Sequence, residues 1–179
     1  MIYHQCLNWD PAVDKDQRTP EGWWPPAISD ATLNACHQAR EAGIGLQVCA
    51  AWYNGPYCKH AQGIRADCHD AEVRYHAVHG ADLWEGVPII LSNATGDSGK
   101  ARKAMALGAR CVLDNELNII WEAWKMGLRV LPVHTRYEPL RGPWGRSFRS
   151  CAEALVFASD HWDHLIVNAT PSIEVEVEV

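Results

Sequence analysis

DSGKARKAMALGARCVLDNELNIIWEAWKMGLRVLPV, residues Asp97 to Val133, is the stretch from which the rest of the chain is read. Asp97 or Ser98 can cap a helix carrying Ala101, Ala104, Met105 and Leu107, and Gly108 is a natural stop because it tolerates the left-handed turn that ends a helix. Cys111, Val112 and Leu113 then form an apolar run too short for a helix and suited to a buried strand. A second helix spaces Leu117, Ile120, Trp121 and Trp124 along one face, Gly127 closes it, and Leu128, Val130, Leu131 and Val133 return to strand. Two parallel strands joined by a helix bring Asp114, Asn115 and Glu116 to a strand tip, on the edge where open α/β sheets bind ligands.

Working outward, Ile2 to Leu7 reads as a first strand ending at Asn8-Trp9-Asp10-Pro11. Residues 11–26 form a flap in which Pro20, Pro25 and Pro26 exclude regular helix. Ser29 or Asp30 caps a helix to about Ala42, with Leu33 and Cys36 inward and Gly43 as its stop, and Ile44 to Ala51 is a buried strand. Residues 52–86 read as a small insertion holding Cys58, His60, Cys68 and His69 before a helix from about Asp70 to His79; Val87 to Ser92 is the third strand. Beyond Val133 comes a Pro/Gly loop with Arg136, Arg141, Arg146 and Arg149. Ser150 and Glu153 have capping-box spacing for a helix to about Ser159, and Leu165 to Val167 suits a last short strand. The tail, 168–179, alternates Val or Ile with Glu174, Glu176 and Glu178, a strand period that could pair at a sheet edge in its own chain or in a second copy. The alternation of strand and helix predicts one α/β domain over 1–179: a Rossmann-like, mostly parallel sheet with helices on both faces.

The composition sets limits. A chain of 179 residues, 47% hydrophobic, can bury one substantial core. A net charge of −6 argues against generic nucleic-acid binding, which needs a strongly basic surface. No apolar run approaches the roughly 20 residues that span a bilayer, so a soluble, cytoplasmic protein without membrane partners is expected. Seven cysteines, mostly in apolar segments, suit packed thiols better than a disulfide framework. Nine tryptophans suit core and flap packing.

The run from Gly99 to Val133 resembles the C-terminal half of the haloacid dehalogenase superfamily, largely magnesium-dependent phosphatases on a Rossmann-like sheet. The resemblance implies a phosphoryl-contacting lysine at Lys100 or Lys103 and a magnesium-binding acid at Asp114, with Glu116 one position later than the family's second acid. It also places Asn8 and Asp10 where that family carries its Asp-x-Asp motif. Phosphoryl transfer through an aspartyl-phosphate needs an attacking carboxylate, a second carboxyl to protonate the leaving oxygen, and a cation to neutralise charge. Asn8 offers an amide where the attacking carboxylate is required, and Ala50 or Ala51 stands where a hydroxyl is expected. Ser92 could supply a hydroxyl from the third strand. A shifted register makes Asp10 the attacking group but leaves Ala12 as its acid/base partner. The expectation is a pseudo-phosphatase that binds a phosphorylated small molecule or nucleotide. The alternative is a magnesium-dependent phosphohydrolase with displaced catalytic residues.

Three further features carry chemistry. Cys58, His60, Cys68 and His69 are ligand types that tetrahedral zinc would take, in a structural role. Arg136, Arg141 and Arg146 follow the strand after Asp114, and their guanidinium forks suit an anion. Glu122 is the nucleophile in a third reading, an enzyme resembling nucleoside deoxyribosyltransferases or N-glycosidases.

Overall fold

The computed structural model describes residues 2–4, 28–51, 59–84, 90–92, 97–133 and 139–167. Among the described residues strand and helix alternate: β1 (Ile2–His4), α1 (Asp30–Glu41), β2 (Leu46–Ala51), α2 (Lys59–His79), β3 (Ile90–Ser92), α3 (Asp97–Ala106), β4 (Cys111–Asp114), α4 (Leu117–Lys125), β5 (Arg129–Pro132) and α5 (Cys151–Val167). Local chemistry sets several of these boundaries. Ser29 caps α1, its Oγ accepting the Thr32 amide at 3.2 Å. Gly108 and Gly127 stop α3 and α4 at φ of 75° and 81°, where a side chain would be strained. After each turn the chain bonds back into its helix, Ala109 N to Ala104 O at 2.9 Å and Leu128 N to Ala123 O at 3.0 Å, and passes directly into β4 or β5.

The five strands among the described residues lie in the order β3-β2-β1-β4-β5, every neighbouring pair parallel. The chain lays strands outward from β1 to β3, then crosses back to the other side of β1 for β4 and β5. The order therefore reverses between β1 and β4, and the carboxyl ends of those strands flank a topological switch, the place where such sheets form a ligand crevice. Strand alternation divides the core. Cys111, Leu113, Leu131 and Val133 pack with α1, α2 and α5 on one face, while Val112 and Val130 pack with α3 and α4 on the other. No helix among the described residues is long and apolar enough to cross a membrane.

Three expectations need correction. The helix expected from Asp70 begins at Lys59, because residues 59–79 contain no proline and their four alanines, with Lys59, Gln62 and Arg65 in the first turns, outweigh the single Gly63. Leu165 to Val167 is not a strand but the last turn of α5; 151–167 holds neither glycine nor proline, and the helix only bends at His161 (φ −129°) before Arg129 Nε holds Leu165 O at 2.9 Å. In α4 the buried stripe is Ile119, Ile120 and Ala123, while Leu117, at the helix's first residue, remains 41% exposed and Trp121 and Trp124 are half-buried. The flap, 11–26, and the tail, 168–179, lie outside the described residues.

Candidate functional site

The tip of β4 holds the one ion pair among the described residues in which both side chains are buried. Asp114, the last residue of β4, is 2% exposed, and Lys100, in the first turns of α3, is 6% exposed. Lys100 Nζ lies 4.0 Å from Asp114 Oδ2, too far for a direct hydrogen bond, so the pair interacts through charge alone. The other carboxylate oxygen accepts the Glu116 amide at 2.8 Å, which fixes the turn from β4 into α4. Asp114 is thus not the N-cap of α4; that position is Glu116, whose side chain makes no capping bond. Burial pushes the Asp114 carboxyl up to about 7, while Lys100 and the Glu116 amide pull it down. Near neutral pH the group can therefore accept a proton or donate one, next to a cation poorly shielded by water.

Burial separates the two lysines that the sequence leaves equivalent. Lys103, one turn beyond Lys100, is exposed, as is Glu116. Ser92 ends β3 at the same end of the sheet, but β2 and β1 intervene, so its strand lies three spacings, about 14 Å, from β4. Arg141 is exposed. Arg146 is engaged elsewhere: its Nη2 meets Glu153 Oε1 at 2.9 Å, and its guanidinium lies 4.9 Å from the centre of the Phe148 ring and 5.2 Å from that of Phe157. Arg146 thereby fastens the loop to α5. Asn8, Asp10, Cys58 and Arg136 lie outside the described residues.

Among the described residues, no group of three or more His, Cys, Asp or Glu side chains is arranged to hold a metal ion. Cys68 and His69 are neighbours on α2, but Cys68 is buried in the core and His69 is exposed, so the two point to different surroundings; the side chain of His60 lies outside the described residues. Asp114 offers magnesium one carboxylate with one oxygen already bonded to the backbone. A magnesium ion keeps waters and takes one or two carboxylates plus substrate phosphates, so Asp114 would need Asp10 or a ligand beside it.

Glu122 lies on the outer side of α4, half-buried, with Lys125 Nζ 3.0 Å from its Oε1. With Asn118, Trp121 and Lys125 it lines a surface depression of about 430 Å³. Asn118 and Lys125 escaped the sequence reading, although the spacing 118, 121, 122, 125 puts them on one helical face with the two residues it did single out. Comparison of the chain with protein-family models, curated proteins and solved structures finds no match.

Proposed function

We propose that the carboxyl edge of the sheet, between β1 and β4, binds a phosphorylated small molecule or nucleotide in a domain of haloacid dehalogenase type, without that family's standard phosphatase reaction. The observation that carries this reading is the buried Lys100–Asp114 pair at the tip of β4, beside the reversal of strand order. A lysine deprived of water gains by meeting a phosphoryl oxygen, and a carboxyl that titrates near neutrality can donate a hydrogen bond to a second one. Asn8 supports binding without turnover, because an amide is neither a nucleophile for phosphorus nor an anionic metal ligand. Magnesium, if bound by Asp114 and Asp10, would neutralise phosphoryl charge. Asp114 would then have to be ionised.

Calorimetric titration with a panel of nucleotides and sugar phosphates, alongside a hydrolysis assay with magnesium, tests this reading. At least one phosphorylated compound should bind without turnover. Lys100→Met should weaken it about 10- to 100-fold, the range expected for losing one charge-assisted contact. Magnesium-dependent hydrolysis abolished by Asp10→Asn or Asp114→Asn would instead establish a phosphohydrolase. Absence of binding by every phosphorylated compound would dismiss both.

A further inference from the structure

The outer side of α4 has features that neither the core nor the phosphate reading uses. Asn118, Trp121, Glu122 and Lys125 recur at the spacing of one helical face and line a depression of about 430 Å³, within the range of about 300–1,000 Å³ typical of small-ligand sites. Trp124 and Trp144 pack against the core between the sheet and the α3–α4 layer. Trp121 rests on those two indoles, edge-to-face with each, at ring-centre distances of 5.7 and 5.0 Å and interplanar angles of 89° and 73°. Trp144 is itself fixed: its Nε1 donates to Leu140 O at 3.1 Å, and its ring lies so close over Gly142 that a Cβ there would collide with it. Trp121 is therefore a half-buried aromatic ring held rigid by other aromatic rings at the wall of a solvent-open depression.

The polar residues around it determine what that ring can accept. Lys125 and Glu122 neutralise each other at 3.0 Å, so the pair adds no net charge to the depression. What remains is hydrogen-bonding capacity of both kinds: the second oxygen of Glu122, the spare N–H groups of Lys125, and the amide of Asn118, which both donates and accepts. A phosphorylated or cationic ligand would find no unpaired charge to offset its lost hydration. A polyhydroxylated ring without charge fits on both counts, with apolar C–H groups for the indole and hydroxyls for the three polar side chains. We propose that this face of α4 binds an uncharged sugar ring, stacked on Trp121 and hydrogen-bonded by Asn118, Glu122 and Lys125.

Saturation-transfer NMR and tryptophan fluorescence on the full chain, titrated with neutral methyl pyranosides and disaccharides, test the proposal, with nucleosides and sugar phosphates as comparators. A neutral sugar should bind saturably, with magnetisation arriving mainly at the C–H protons of one ring face. Trp121→Ala should weaken binding at least about tenfold, as loss of a central aromatic contact does. Asn118→Ala removes an exposed side chain with no role in the core and should weaken binding severalfold with an unchanged circular dichroism spectrum. Affinity should change less than about twofold when salt is raised across the range that screens exposed charges. The proposal is overturned if no neutral sugar saturates, if both variants bind as the parent does, or if nucleosides or sugar phosphates bind in place of the neutral sugars.

Discussion

Asp114 combines a buried carboxyl, a backbone hydrogen bond and a distant cation, and its titration has a measurable consequence for stability. Its folded-state value is raised from 3.8 to about 7, mainly by burial. Below 3.8 the group is protonated folded or unfolded and contributes nothing. Between 3.8 and about 7 the unfolded chain ionises while the folded chain retains the proton, so stability falls as pH rises, by on the order of 4 kcal/mol once above the upper value. Asp114→Asn, which keeps an oxygen for the Glu116 amide, should therefore be more stable than the parent at pH 8 and nearly equal to it at pH 4, read from urea unfolding midpoints. A pH-independent difference between the two chains would contradict the assignment. Asp114 itself was legible in the sequence, since a short apolar run ending in an acid before a helix marks a strand tip. Lys100 was not separable from Lys103, because both are lysines on one short helix and only packing against β4 tells them apart.

At the scale of elements, the seam between α1 and α2 contains a second pH-dependent contact. The His37 and His79 rings stack with centres 4.0 Å apart, and His37 Nδ1 shares a hydrogen bond with the buried Tyr75 hydroxyl at 3.1 Å. Burial, and then the neighbouring His37, hold His79 below its usual 6.5. Arg40 adds positive charge over the Tyr75 ring from α1, while the Glu72 carboxylate on α2 accepts the Leu83 amide at 2.9 Å. A histidine lowered in this way supports the fold above pH 6.5, and its contribution is lost as pH falls. Protection of the α2 amides, corrected for the intrinsic slowing of exchange with falling pH, should decrease between pH 7 and 5, and His79→Phe, which keeps a stacked ring without charge, should remove that decrease. The element boundaries themselves were legible where capping chemistry was strong, at Ser29, Gly43, Gly108 and Gly127. They were not where ligand-type residues disguised a helix: the Cys and His of 58–69 suggested a metal loop, yet from Lys59 onward the chain is α2. Leu165, Ile166 and Val167 likewise suit a strand in isolation, and continuity with the preceding helix overrides that preference.

For the whole molecule, the parallel order β3-β2-β1-β4-β5 explains why strand-helix alternation alone predicts the architecture, while the site needs contacts that bring α3 to β4 across the sheet. The same core protects the thiols. Cys36 and Cys111 are fully enclosed, and burial pushes each up to about 12, so neither offers a thiolate at neutral pH. Alkylation of these two cysteines in the native protein, followed by mass spectrometry, should proceed at a rate that tracks the unfolded fraction as urea is raised. Rapid labelling in the absence of denaturant would show that the core opens locally.

The parallel order also constrains the sequence of events during synthesis. Ile2 pairs with Leu46 on one side and with Cys111 on the other, so β1, made before both of its neighbours, becomes the middle of the sheet formed by the described strands. Until the second half of the chain has been translated, one flank of β1 has no native neighbour and presents bare amides and carbonyls that could pair with another nascent chain. A product that ends before Cys111 would thus have an open central edge, and its solubility should depend on a chaperone in a way that a product containing β4 and β5 does not.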